Sequence, residues 1–323
     1  MASFRGKFEA GLSKRSIEVT HDARETCDAL LVIGGTRNLY ALWKLRQSGG
    51  RIVQRLDGIN WIQRRRRTGL RHRLRAEYGN LILATIRRRL ATHVVYQSEF
   101  AQRWWNEWYG ELRSTSSVVH NGVDLEQYRP EGPGELPLDR FRLLVVEGSL
   151  GGGYEMGLDN AVRLAELVES KHGFRMEVVA VGKITDAHRE TVARQARVPV
   201  VLAGSVVRER IPELDRSAHI LFSADLHPAC PNSVIEALAC GTPVVGFDTG
   251  ALREIVTDAC GRIVPYGGDP WKLENPDLES LAEATAAVLR DRASFSRAAR
   301  LHAEAALGLE KMMAGYLAAL LEA

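Results

Sequence analysis

No stretch of this chain approaches 18 consecutive apolar residues, so nothing in it reads as a membrane-spanning helix. Cysteine is scarce: Cys27, Cys230, Cys240 and Cys260 form no C-x-x-C pair, and the chain is too long for a disulfide scaffold, so a reducing, cytoplasmic setting is expected. The nine histidines show no ligand spacing with these cysteines, and no metal or other cofactor is expected. The first twenty residues are charged and lack an apolar core, which argues against a secretory leader. Internal repeats and low-complexity tracts are missing too. The 43 basic and 40 acidic residues nearly cancel, leaving +3, and with no recognised binding motif no nucleic-acid partner is expected.

What is present is globular. Hydrophobic residues make up 45% and charged residues 26%, and 323 residues suffice for two domains with their own cores. Short apolar runs alternate with helical periodicity, which predicts α/β units with parallel sheets and right-handed crossovers. Strands are predicted at Ile17–Thr20, Ala29–Ile33, Arg51–Leu56, Thr92–Tyr96 and Ser117–His120. Helices are predicted at Phe4–Lys14, Leu39–Gln47 and Ser98–Trp108, with Ser98 as a cap. Residues 131–138 hold two glycines and two prolines and read as a linker. A second series follows, with strands at Arg142–Glu147, Met176–Val181, Val198–Ala203, His219–Ser223, Val244–Phe247 and Arg262–Val264, and then helix to the end. The predicted organisation is 1–130, 131–300 and a C-terminal helical segment 301–323.

The most informative stretch runs from His227 to Gly246. Pro231, Asn232 and Ser233 suit a helix start, Val234, Ile235, Leu238 and Ala239 give it an apolar face, and Gly241 with Pro243 ends it. Free N–H groups and the helix dipole at such a start attract an anion. Glu236 lies one turn in, where a carboxylate accepts hydrogen bonds from sugar hydroxyls. A phosphate beside a polyol points to a nucleotide or nucleotide sugar. A second phosphate-binding candidate is the loop Gly148–Ser149–Leu150–Gly151–Gly152–Gly153 after the strand at 142–147, where glycines let backbone approach a phosphate. A plain turn is the alternative.

The His227–Gly246 stretch resembles the donor site of retaining glycosyltransferases of the GT-B fold, family 4 (glycosyl transferases group 1). Tyr96–Gln97–Ser98–Glu99–Phe100, His120–Asn121–Gly122–Val123–Asp124 with Tyr128 and Pro130, and Thr249–Gly250 with Glu254–Ile255–Val256 resemble further landmarks of that family. The resemblance implies two Rossmann-like domains facing across a cleft, with the C-terminal helix packing back on the N-terminal domain. It also implies transfer of a sugar from a nucleotide-diphosphate sugar to a glycan, lipid-linked or small-molecule hydroxyl acceptor, with retention. Donor-binding residues would be Gly148, Ser149, Gly151, Gly152, Gly153, Asn232, Ser233, Val234 and Glu236. Pro228 stands where the family has the first of two glutamates eight positions apart, and Ser149 and Met156 stand where it has an Arg and a Lys. Arg208 and Lys183 are alternative sources of positive charge. These departures favour, as the rival reading, a catalytically impaired nucleotide-sugar-binding or scaffold protein of the same fold. An epimerase on this architecture is a weaker third.

Asp57, at the end of a predicted strand, is a candidate contact for the acceptor hydroxyl, with capping of the next helix as the alternative. His227, beside the missing glutamate position, is a candidate contact for the donor sugar, whereas His120 reads as structural. The arginine-rich segment 64–89 reads as a solvated helix face, as a surface for a phosphorylated acceptor, or as a surface for anionic lipid, the last of which would place the protein peripherally on the inner membrane face in a cell-envelope glycan role. The family's first domain opens with a strand and a Gly-rich loop, and this chain opens on the helix after them. The N-terminal domain is therefore expected to lack its first strand, through a start assigned too late or a lost element.

Overall fold

The computed structural model describes residues 2–22, 25–66, 69–151 and 154–321. The chain divides into two compact units, Met1–Gly122 with Leu309–Ala323, and Val123–Gly308. No helix among the described residues is long and apolar enough to cross a membrane.

The first unit contains α1 (Ala2–Ser13), β1 (Ala29–Ile33), α2 (Leu39–Gln47), β2 (Arg51–Leu56), α3 (Leu70–Thr85), β3 (His93–Tyr96), α4 (Glu99–Tyr109) and β4 (Thr115–Val118). Its four strands are parallel, in the order β1-β2-β3-β4. Alternate residues of each strand serve opposite faces, and both faces are covered. Val32 and Ile52 pack with Leu42 of α2 and with Ile86 and Leu90, which lie in a π-turn (Ile86–Leu90) continuing α3. Val53 and Val95 pack with Phe4, Phe8 and Leu12 of α1 and with Met312, Met313 and Tyr316 of the C-terminal helix. The ring of Tyr316 lies 4.9 Å from Phe4 and 5.4 Å from Phe8. Ser98 caps α4 by accepting from the Ala101 N–H at 3.0 Å.

Two strands predicted in this unit differ. Ile17–Thr20 forms none: Ile17 joins the core beside α1, and residues 18–20 are exposed with no strand alongside. The last strand is Thr115–Val118 rather than 117–120, because its ladder is set by His93–Tyr96, pairing His93 with Thr115 and Tyr96 with Val118. The arginine-rich segment is not one uniform face. Arg64 holds Glu77 through two hydrogen bonds of 2.6 and 2.7 Å and lies over the Trp108 ring. Arg87 is fully buried and donates to the Tyr96 hydroxyl (2.7 Å), the Gly110 carbonyl (2.8 Å) and Asn106. Arg71, Arg73, Arg75, Arg88 and Arg89 are exposed, and Arg67 lies outside the described residues.

The second unit contains β5 (Phe141–Ser149), α5 (Glu155–His172), β6 (Met176–Lys183), α6 (Asp186–Gln195), β7 (Val200–Gly204), α7 (Ile211–Arg216), β8 (Ile220–Phe222), α8 (Asn232–Ala239), β9 (Val244–Phe247), α9 (Leu252–Ile255), β10 (Gly261–Val264), α10 (Leu278–Arg290) and α11 (Arg292–His302). The C-terminal helix α12 (Leu309–Leu321) belongs to the first unit. The six strands are parallel, in the order β7-β6-β5-β8-β9-β10. Leu143 and Val145 face a core with Leu158, Leu164 and Leu281, while Leu144 faces one with Val234, Ile235 and Leu238 of α8. Gly241, at φ +75, takes the backbone out of α8 and into β9, a conformation that other residues adopt only at a cost.

Candidate functional site

The chain winds outward from β5 through β6 to β7, then returns to the other side of β5 and winds outward again from β8. Loops leaving β5 and β8 therefore diverge, and a crevice opens beyond the carboxyl ends of these two neighbouring strands. The loop after β5, the loop after β8 and the start of α8 converge there, all within the second unit.

The β5 end is irregular. Its register against β6 shifts between Val146 and Ser149, which frees Glu147 and Gly148 from regular pairing. β5 runs further than predicted, so Gly148 and Ser149 belong to the strand end rather than the loop, because Ser149 pairs with Lys183. Gly148 is exposed, and a Cβ built there would meet nothing within 4 Å, so packing does not require glycine. Ser149 turns its hydroxyl back onto the Gly151 carbonyl at 3.1 Å. Gly152 and Gly153 lie outside the described residues. Glu147, near the end of β5, and Asp225, in the loop after β8, are neighbouring carboxyls. Burial and then the charge of Asp225 raise the Glu147 carboxyl above the usual range, and burial raises Asp225 against the N–H bonds that it accepts from Leu226 and His227.

The β8 loop is held on both sides. The His227 ring lies flat on Trp271, centroids 3.6 Å apart and planes 14° apart, and burial keeps it neutral with its pKa pushed down to about 4. Thr249–Gly250 closes the other side. The Ala251 N–H donates to the Pro228 carbonyl at 2.8 Å, and Gly250, at φ +59, brings its backbone so close that a Cβ would sit 2.4 Å from Pro228 Cδ.

α8 begins at Asn232 with Pro231 in the capping position, and no side chain caps it. Asn232 is exposed and Ser233 half-buried, while the Val234 side chain lies in the core, leaving only its N–H to the site. Glu236, one turn in, is 7% exposed, with Arg208 Nη2 3.4 Å from its Oε1. Behind it, Asp215 is fully buried, and among the described residues neither of its carboxyl oxygens has a hydrogen-bond partner. Burial and then the Glu236 charge raise the Asp215 carboxyl well above the usual carboxylate range, and burial with Glu236 pushes the Tyr128 hydroxyl upward. The arrangement offers free N–H groups and a helix dipole to an anion, a carboxylate to a polyol, and Arg208 as the adjoining cation.

Sequence reasoning placed Glu236, the start of α8 and the β5 loop at this crevice and missed Glu147, Asp225 and Trp271. Glu147 reads in sequence as an ordinary strand-end residue, and Trp271 lies forty-four positions beyond the histidine that it stacks on. Asp57 is elsewhere, at the carboxyl end of β2 in the first unit, half-buried, with its carbonyl accepting from Trp105 Nε1 at 2.7 Å.

The family described as "Glycosyl transferases group 1" matches residues 142–291, which span every element of this crevice. Residues 142–291 are thus similar to a glycosyl transferases group 1 domain. A D-inositol 3-phosphate glycosyltransferase of Geodermatophilus obscurus is 37% identical over 231 residues, 65% of this chain and 49% of the relative. The chain spans about half the length of the curated relatives it matches. Among solved structures, WaaG, a glycosyltransferase involved in lipopolysaccharide biosynthesis, superposes with a TM-score of 0.70 at 15% identity over 99% of this chain and 96% of its own. HepE of Anabaena, in complex with UDP and glucose, gives 0.63 at 16% identity over 90% of this chain and 78% of its own. At these identities the structures establish the fold, two Rossmann-like units of the GT-B class.

The matched region carries Glu236 one turn inside the start of α8. Its β5 loop has two carboxyls beside it where the sequence already lacked the Arg and Lys of the family pattern.

Proposed function

We propose that this protein moves a sugar from a nucleotide-diphosphate sugar to a hydroxyl acceptor with retention. One observation carries the reading: an uncapped helix start at the strand reversal, with Glu236 a single turn inside it. The N–H groups of Asn232, Ser233 and Val234 would hold a donor phosphate, and Glu236 would accept from the ribose hydroxyls. As the diphosphate departs, its charge would be met by these dipoles and by Arg208, with no metal ion, and the leaving phosphate would take the acceptor proton on the same face. Asp57 is assigned to the acceptor. The neighbours WaaG and HepE, one a glycosyltransferase involved in lipopolysaccharide biosynthesis and the other bound to UDP and glucose, support this substrate class.

The reading extends to a lipid-linked or glycan acceptor of the cell envelope, reached from the cytoplasmic face through the exposed arginines of α3. The test is calorimetry with UDP, GDP and ADP and their glucose conjugates, followed by an assay of nucleotide release with and without acceptor extracts. Saturable binding of one nucleotide and acceptor-dependent release are expected. Binding without release for every donor sugar would point to the scaffold alternative, and no binding at all would remove the donor site.

A further inference from the structure

In the first unit a cavity of about 500 Å³ lies between the end of α3 and the end of α4, lined by Leu81, Ala84, Thr85, Arg88, Arg89, Tyr109, Glu111 and Arg113. Its charge is lopsided, three guanidinium groups against one carboxylate. Among the described residues Arg88, Arg89 and Arg113 have no hydrogen-bond or ion-pair partner, unlike their neighbour Arg87. The π-turn explains how they come together. It buries Arg87 and delivers Arg88 and Arg89 to the surface side by side. Unpaired guanidinium groups converging on a concave wall suit a phosphate, which accepts their planar forks in pairs.

The rim is apolar. Leu81 lines the cavity and is 60% exposed, and it continues an exposed row of Leu70, Leu74 and Tyr78 spaced along one side of α3. Tyr40 and Trp43, stacked 5.9 Å apart on α2, are exposed in the same helical layer. Leucine and aromatic side chains standing in water beside arginines are the composition of a helix that lies in a lipid interface.

We propose that this cavity binds the phosphate head group of an anionic phospholipid, with the Leu70–Leu81 row entering the lipid surface beside it. The proposal rests on the membrane part of the reading above and makes it specific: the head group is bound in a pocket rather than attracted to a diffuse charge.

The experiment compares the full chain with three variants: Arg88→Ala/Arg89→Ala/Arg113→Ala in the cavity, Arg71→Ala/Arg73→Ala/Arg75→Ala on α3 outside it, and Leu74→Asn/Tyr78→Asn in the row. Each is measured for sedimentation with phosphatidylglycerol vesicles and for saturable binding of glycerol phosphate by calorimetry. All the altered residues are exposed, and circular dichroism melts check that each variant folds. Glycerol phosphate should bind the parent, the α3 triple variant and the row variant, and fail on the cavity variant. Vesicle binding should fall more for the cavity triple than for the α3 triple. A diffuse patch predicts equal losses, on the order of a hundredfold for three cations at either place. Equal losses with no glycerol phosphate binding would overturn the pocket and leave the membrane reading standing. A parent that binds neither vesicles nor glycerol phosphate would overturn both, and one that binds glycerol phosphate but no vesicle would overturn the lipid source.

Discussion

Replacing Glu236 with alanine tests the donor site most directly. The side chain is nearly enclosed, its partner Arg208 is one-third exposed, and their separation of 3.4 Å is at the long end of hydrogen bonding. Removing the carboxylate therefore costs the fold little through Arg208, which retains water. What is lost is the acceptor for the ribose. A hydrogen bond to a charged group contributes about 1.5–3 kcal/mol, so nucleotide affinity should fall on the order of ten- to a hundredfold. Glu236→Gln keeps the shape and one neutral acceptor, and its loss should be the smaller of the two. Both variants are measured by calorimetry with the nucleotide that the parent binds best, beside thermal melts. The Glu236 charge also helps to raise the Asp215 carboxyl, so in both variants Asp215 should ionise at a lower pH than in the parent. Nucleotide affinity unchanged in Glu236→Ala would refute the assignment, and so would an equal loss in a variant whose melt shows an unfolded protein if Glu236→Gln, folded, bound like the parent.

Three further outcomes follow from the same contacts. Arg87→Met, which strands the Tyr96 hydroxyl, the Gly110 carbonyl and Asn106, should cost about 3–5 kcal/mol in chemical denaturation, whereas Arg88→Met should stay within about 0.5 kcal/mol. Gly250→Ala should lower nucleotide affinity and melting temperature together, because φ +59 and the 2.4 Å approach to Pro228 push the loop after β8 away, and an unchanged melt would show that the backbone there yields freely. The pH profile should bend at both ends. Asp215, raised above its unfolded value, stabilises fully below about pH 4 and loses that contribution as pH rises through its folded pKa, so Asp215→Asn should gain more at pH 8 than at pH 5. His227, lowered to about 4, costs stability as pH falls from about 6.5 toward 4, and His227→Phe, which keeps a ring on Trp271, should flatten that limb in melts from pH 4 to 7.

The sequence alone determined much of this protein. Ala29–Ile33, Arg51–Leu56 and Val244–Phe247 are strands with the predicted bounds, and Leu39–Gln47 is the predicted helix, since a short apolar run between turn residues leaves few alternatives. Ser98 as a cap and the helix from Asn232 were legible for the same reason: caps and breakers act within four or five residues. Glu236 was legible because its place is fixed by the helix that it sits on.

What only the tertiary structure decided depends on distant partners. Ile17–Thr20 has strand composition but no neighbouring strand to bond, and the Thr115–Val118 ladder is positioned by β3 rather than by its own residues. Arg87, Arg88 and Arg89 are identical in sequence, yet a π-turn buries the first and exposes the other two. The neighbouring carboxyls of Glu147 and Asp225, seventy-eight positions apart, and the stacking of His227 on Trp271 arise because parallel strands bring loops together only after the sheet is ordered. Periodicity and capping are local and can be read along the chain, whereas burial and charge are set by whatever the fold places alongside.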